Sequence, residues 1–119
     1  MGPGPILVVE DDPSTLDFVA ELLRIEGYAV LTAAHGEEAL SVLAQTTPAL
    51  IIFDLRMAVL DGWQLARRLR QIDDHPPLVV MTAMMDARHA AEQIGADAFL
   101  QKPFEVDELL EVVARFLHH

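Results

Sequence analysis

Apolar positions along this chain fall into two alternating patterns. Short, unbroken apolar runs are built from Ile6, Leu7, Val8 and Val9, from Leu50, Ile51, Ile52 and Phe53, and from Leu78, Val79, Val80 and Met81. Runs of this length and β-branched content predict strands covered on both faces. Two weaker runs, over 28–32 and 98–100, predict strands as well. Between them the apolar spacing turns helical. Leu16, Val19, Ala20 and Leu23 form one stripe, opened by Asp12 and Pro13 as cap and first-turn residues and closed by Gly27. Ala39, Leu40, Val42 and Leu43 predict a second helix over 37–45. Trp63, Leu65, Ala66, Leu69 and Ile72 predict a third, broken by Pro76 and Pro77. A fourth, over 86–94, is alanine-rich with a weak apolar face and stops at Gly95. The fifth and most strongly amphipathic carries Val106, Leu109, Leu110, Val113, Phe116 and Leu117.

Strand and helix thus alternate five times with no spare segment. That order predicts an α/β fold with one parallel sheet and helices on both of its faces. At 119 residues, 52% of them hydrophobic and 23% charged, the chain has the size of one domain and enough apolar surface to fill its core.

Composition removes several function classes. Cysteine is absent, which excludes thiolate zinc sites, disulfides and cysteine nucleophiles. Eight basic residues face nineteen acidic ones, a net charge of -11. Such a surface repels phosphate backbones and anionic lipid, so neither direct nucleic-acid binding nor membrane binding is expected. No apolar run reaches the ~20 residues of a membrane helix, and the residues from Met1 to Pro5 carry no positive region of a secretory signal. A cytoplasmic location is the expectation.

The chemistry collects at one edge. In a parallel sheet all strand C-termini point the same way, and ligands bind outside them where the strand order reverses. The residues just past the predicted strand ends are Glu10, Asp11 and Asp12, then Asp54, Thr82 and Lys102. Taken singly, each has an ordinary structural role: Asp12 as a helix cap, Asp54 and Thr82 as turn residues, Lys102 as a solvated cation. Together they bring carboxylates, a hydroxyl and an ammonium to one crevice. Crowded carboxylates repel one another, and a hard divalent cation with oxygen ligands relieves them. A carboxylate held beside a metal and an ammonium can act as a nucleophile toward phosphorus. Lys102 is the chain's single lysine among seven arginines, which hints at a need for a point charge there.

These segments resemble the receiver domains of two-component response regulators. Residues 6–12 are similar to the opening of that family, residues 54–62 to its phospho-acceptor strand end and following loop, and Thr82-Ala83 and Lys102-Pro103-Phe104 to its two remaining signatures. The likeness runs from about Ile6 to Leu117, so the whole chain, 1–119, reads as one receiver domain with its core at 6–117. It implies a flavodoxin-like (βα)5 three-layer sandwich with strand order 2-1-3-4-5. It further implies that Asp54 accepts a phosphoryl group from a histidine kinase or phosphotransfer protein. Asp11 would bind Mg²⁺ (or Mn²⁺) directly, Glu10 through water, with Asp54 and the backbone carbonyl of Arg56 completing the site. Thr82 and Lys102 would contact the phosphoryl oxygens, Phe99 would be the switch aromatic, and the Lys102-Pro103 bond would be cis. The surface of the fourth helix, fifth strand and fifth helix would carry the signal to an output domain or protein target, and two copies could pair through it.

Three positions depart from the family pattern. Ala58 stands where proline is common, and the resemblance implies that Arg56 and Met84 would flank the path of a water attacking the acyl phosphate. Arg56 and Met84 are therefore expected to tune the phosphoryl lifetime. Two other readings use the same residues. A Mg²⁺-dependent phosphatase of the haloacid-dehalogenase kind needs an acid two positions after its nucleophile, where this chain has Arg56, and usually a cap domain for which there are no residues. A pseudo-receiver would bind partners without phosphorylation, against which the complete set of acids, Thr82 and Lys102 argues. The expected protein is a switch, not a turnover enzyme. Of the remaining polar residues, Arg67, Arg68 and Arg70 read as a solvated helix face, and His35, His75 and His89 as surface.

Overall fold

A computed structural model describes residues 4–56, 62–72, 75–83 and 86–117. The apolar runs form β1 (Ile6–Val9), β2 (Val30–Ala33), β3 (Leu50–Asp54), β4 (Leu78–Thr82) and β5 (Ala98–Gln101), all parallel in the order β2-β1-β3-β4-β5. The amphipathic segments form α1 (Pro13–Ile25), α2 (Gly36–Leu43), α3 (Gly62–Arg70), α4 (Ala87–Ile94) and α5 (Val106–Phe116). This is the flavodoxin-like arrangement that the order of elements and the resemblance predict.

The three central strands β1, β3 and β4 are buried along their whole length, with side chains alternating between the two faces of the sheet. Leu7, Val9, Ile51, Phe53, Leu78 and Val80 face one layer, where they pack with Ala39 of α2, Leu65, Ala66 and Leu69 of α3, and Ala90, Ala91 and Ile94 of α4. Ile6, Val8, Leu50, Ile52, Val79 and Met81 face the other, against Val19 and Leu23 of α1 and Leu109, Val112 and Val113 of α5. Two helices on one face and three on the other make two helical layers, three layers with the sheet, and continuous apolar strands are the sequence signature of that double cover.

Helix ends follow their local chemistry. Asp12 caps α1 by accepting from the Thr15 amide at 3.1 Å and the Thr15 hydroxyl at 2.5 Å, with Pro13 in the first turn. Those two bonds hold the Asp12 carboxyl below its ordinary pKa. Asp86 caps α4 through the His89 amide, and Gly95 ends it at φ 74°, a backbone conformation that glycine adopts without a Cβ clash.

Four expectations are corrected. Tyr28 is not the start of β2: its amide closes the end of α1 by donating to the Leu23 carbonyl, so pairing begins at Val30. α2 is shorter than its apolar spacing suggests and opens at Gly36, because His35 is its cap and accepts the Glu38 amide at Nδ1, 3.2 Å. The His35 side chain stays 41% exposed, at the surface as expected. α3 ends at Arg70, which leaves Ile72 outside the helix and exposed. Val106, counted into the apolar face of α5, sits in its first turn and is exposed; the buried face is Leu109, Val112 and Val113.

Candidate functional site

The strand order reverses at β1. The chain leaves β1 to form β2 on one side and returns to form β3 on the other. Val9 is paired with Phe53, so Glu10 and Asp54 leave the sheet side by side at the reversal. Thr82 closes β4 in register with Gln101, and Lys102 is the next residue. Its amide donates to the Thr82 carbonyl at 2.7 Å, which fixes the backbone from which the lysine reaches back over the sheet edge.

The reach is direct. Lys102 Nζ donates to Asp54 Oδ2 at 2.5 Å and to Glu10 Oε2 at 3.0 Å. Asp54 Oδ1 accepts the Arg56 amide at 3.0 Å, so both carboxylate oxygens of Asp54 are held. Glu10 is 2% exposed and Asp54 7%. Glu10, Asp11 and Asp54 each bring a carboxylate oxygen into a group whose members lie within 4.8 Å of one another. Asp11 is the exposed member of the three.

The electrostatics follow from that crowding. The Glu10 pKa is raised to about 7, chiefly by burial and further by the neighbouring Asp54, with Lys102 opposing the rise. Burial works to lower the Lys102 pKa, but its bonds to Asp54 and Glu10 outweigh burial and carry it above the usual lysine value. Lys102 is thus a fixed ammonium. Three carboxylates against one ammonium leave an excess of negative charge. The donor set is all hard oxygen, which is the chemistry that Mg²⁺ or Mn²⁺ takes.

The predicted site residues are not all equally close. Glu10, Asp11, Asp54 and Lys102 meet in one cluster. Thr82 lies fully buried at the end of the neighbouring strand. Arg56 contributes its backbone amide, while its side chain is exposed and pairs with no acid among the described residues. Asp12, next to the acid pair in sequence, belongs to the α1 cap instead. Phe99 is half-buried in β5, paired with Val80, and the Arg88 guanidinium stands 5.9 Å from its ring centre. The Lys102-Pro103 bond is cis. Met84 and Ala58 lie outside the described residues.

One feature of the surroundings escaped the sequence reading. Thr15, Phe18, Ala83, Lys102, Pro103 and Phe104 line an open depression of about 340 Å³ beside the cluster. Phe18 is 53% exposed. Its signal was present: a large aromatic that fits no position of the Leu16, Val19, Ala20, Leu23 stripe has no core to enter.

The comparisons with known proteins agree with this geometry. Residues 6–114 match the response regulator receiver domain family, and the chain belongs to it. It is 39% identical over 110 residues to the response regulator MprA of Mycolicibacterium vanbaalenii, covering 91% of this chain and 48% of the relative. It is 39% identical over 114 residues to the transcriptional regulatory protein PrrA of Mycobacterium tuberculosis, covering 94% and 49%. The chain therefore spans about half the length of these curated relatives. Among solved structures, it superposes on the signal receiver domain of a histidine kinase from Syntrophus aciditrophicus with a TM-score of 0.88 at 35% identity, covering 96% and 89% of the two chains. It also superposes on the response regulator TrrA of Thermotoga maritima, solved in complex with Mg²⁺-BeF, with a TM-score of 0.87 at 33% identity, covering 96% and 99%. The protein is a receiver domain of two-component signalling. No helix among the described residues is long and apolar enough to cross a membrane.

Proposed function

We propose that this domain accepts a phosphoryl group on Asp54 from a phosphohistidine of a sensor kinase or phosphotransfer protein, and passes the change to an output domain or protein target. The observation that carries the reading is the buried Asp54 carboxylate held by Lys102 on one oxygen and by the Arg56 amide on the other. An Asp54 oxygen attacks phosphorus, the acyl phosphate bond forms, and the P–N bond to the donor imidazole breaks with its electron pair leaving on nitrogen. Lys102 neutralises charge on the transferring group, and the Thr82 hydroxyl is a donor for one of its oxygens. Glu10, Asp11 and Asp54, with the Arg56 carbonyl, would hold Mg²⁺, which supplies further positive charge when bound. The likeness to a receiver solved with Mg²⁺-BeF supports that assignment. The proposed setting is cytoplasmic, and the protein acts as a switch without turnover. Incubation with acetyl phosphate and Mg²⁺ is expected to add one phosphoryl group per chain by intact mass, and a chelator to prevent it. No mass gain, or repeated turnover of phosphoesters, would overturn the reading.

The raised Glu10 pKa gives the metal site a pH dependence. Below about pH 7 a proton on Glu10 competes with the cation. Mg²⁺ is expected to bind about tenfold more weakly at pH 6 than at pH 8, with little change above pH 8. Calorimetric titration across that range checks this, and a flat profile refutes it.

Arg56 and Met84 are proposed to set the lifetime of the acyl phosphate. The Arg56 side chain is exposed and pairs with no acid among the described residues, which supports a role in shielding the phosphoryl group. Arg56→Ala and Met84→Ala are each expected to shorten the lifetime about fivefold, equivalent to about 1 kcal/mol of barrier. Decay rates equal to the parent in both variants would remove the idea.

A further inference from the structure

The chain's positive charge is concentrated away from the Asp54 cluster. Arg67, Arg68 and Arg70 lie within four positions of α3, three of the eight basic residues in a chain of net charge -11. Trp63, Ala66, Arg67 and Arg70 are spaced as one stripe of a helix. That stripe, with Gln93 and Ile94 of α4, encloses a cavity of about 100 Å³. The floor is aromatic and aliphatic, and the rim carries two guanidiniums and an amide.

The two arginines differ in how they are held. Arg70 Nη1 donates to the Ile94 carbonyl at 3.3 Å, and its guanidinium lies 3.3 Å from where a Cβ on Gly95 would stand. One edge of its planar fork is therefore fixed, while its other N–H donors meet no acceptor among the described residues. Arg67 is exposed and makes no hydrogen bond or ion pair with any described group. Asp and Glu outnumber Lys and Arg by nineteen to eight, yet none of the described acids has been recruited to neutralise this pair.

We propose that the α3–α4 groove is a docking site for an acidic peptide segment, which inserts one carboxylate side chain between Arg67 and Arg70 and lays an apolar neighbour on Trp63. Charge complementarity selects the ligand: in a chain of net charge -11, the guanidiniums of Arg67 and Arg70 at one rim make this groove a favourable place for an anion. Size selects a side chain over a cofactor, because small-molecule sites run from about 300 Å³ upward. A carboxylate matches the planar donors of arginine in two-point contact. The site is separate from Asp54, so its test gives the same answer on an Asp54→Asn chain and is independent of the phosphoryl-transfer reading.

Trp63 is the only tryptophan and lines the cavity, so its fluorescence reports occupancy. The probe is a blocked pentapeptide of four glutamates around one leucine, titrated into the full chain, with the lysine counterpart as control. Saturable quenching or a spectral shift is expected with the acidic peptide alone, weakened by added salt. Arg67→Gln is expected to reduce affinity about fivefold, whereas Arg115→Gln on α5 leaves it unchanged. Arg67 is exposed and bonds no described group, so Arg67→Gln is expected to keep the fold, which far-ultraviolet circular dichroism checks. No response to the peptide, or equal binding by Arg67→Gln, overturns the proposal. So does an equal response to acetate or inorganic phosphate at the same concentration, which would make it an anion site. A Trp63 change that depends on protein concentration without peptide also overturns it, by assigning the groove to a second copy.

Discussion

Asp54→Asn is expected to reduce phosphoryl acceptance from acetyl phosphate to background while the domain stays folded. The amide has the shape of the carboxylate and can still accept the Arg56 amide proton at its oxygen. It cannot act as the nucleophile. Its NH₂ group would also face the Lys102 ammonium, donor against donor, so Lys102 is expected to turn wholly to Glu10. Loss of the neighbouring negative charge then lets the Glu10 pKa fall from about 7 toward its ordinary value. Intact mass over time measures the first effect, and carboxyl carbon chemical shifts against pH measure the second. A variant that gains the phosphoryl mass at the parent rate would mean that the nucleophile is elsewhere.

Lys102→Ala is expected to slow phosphorylation by about 10²–10³-fold, the usual cost of deleting one charge-stabilising donor from a water-poor site. Rates within threefold of the parent would remove Lys102 from the mechanism. The same change acts on stability. It leaves Glu10 and Asp54 buried with no cation between them. Breaking a fully buried pair costs about 3–5 kcal/mol, and the partial exposure of the lysine side chain, 22%, brings the expectation to about 2 kcal/mol. The loss depends on pH in a set direction. Glu10 ionises near 4.5 in an unfolded chain and near 7 in the fold, so over that interval the fold holds a proton that the unfolded chain has released. Stability without metal therefore falls as pH rises from 4.5 to 7 through this group. Removing Lys102 takes away an opposing charge and extends the fall above pH 7. Thermal melts of both chains at pH 5, 7 and 8 in chelator test this: the variant should lose most at pH 8.

What could be read before folding, and what could not, differ by the range of the interaction concerned. The five strands, the five helices and their order are visible in the spacing of apolar residues, since burial on both sheet faces demands unbroken runs and burial on one helix face demands a stripe. Errors occur where a local bond outcompetes hydrophobic pattern. Tyr28 closes a helix instead of opening a strand, His35 caps α2 with a ring nitrogen, and α3 stops before Ile72.

The sequence by itself determined which residues end the strands, and the rule that parallel strands point one way sent Glu10, Asp11, Asp54, Thr82 and Lys102 to a common edge. Their sorting was a tertiary matter. Only the register of β1 with β3 and of β4 with β5 decided that Lys102 spans 92 positions to Glu10 and 48 to Asp54, and that Phe18 is left beside the cluster. The Arg67–Arg70 groove is likewise a product of packing, because it needs α4 to lie against α3. Periodicity records the environment of one segment at a time, whereas a site depends on distances between segments, and those are set when the sheet assembles.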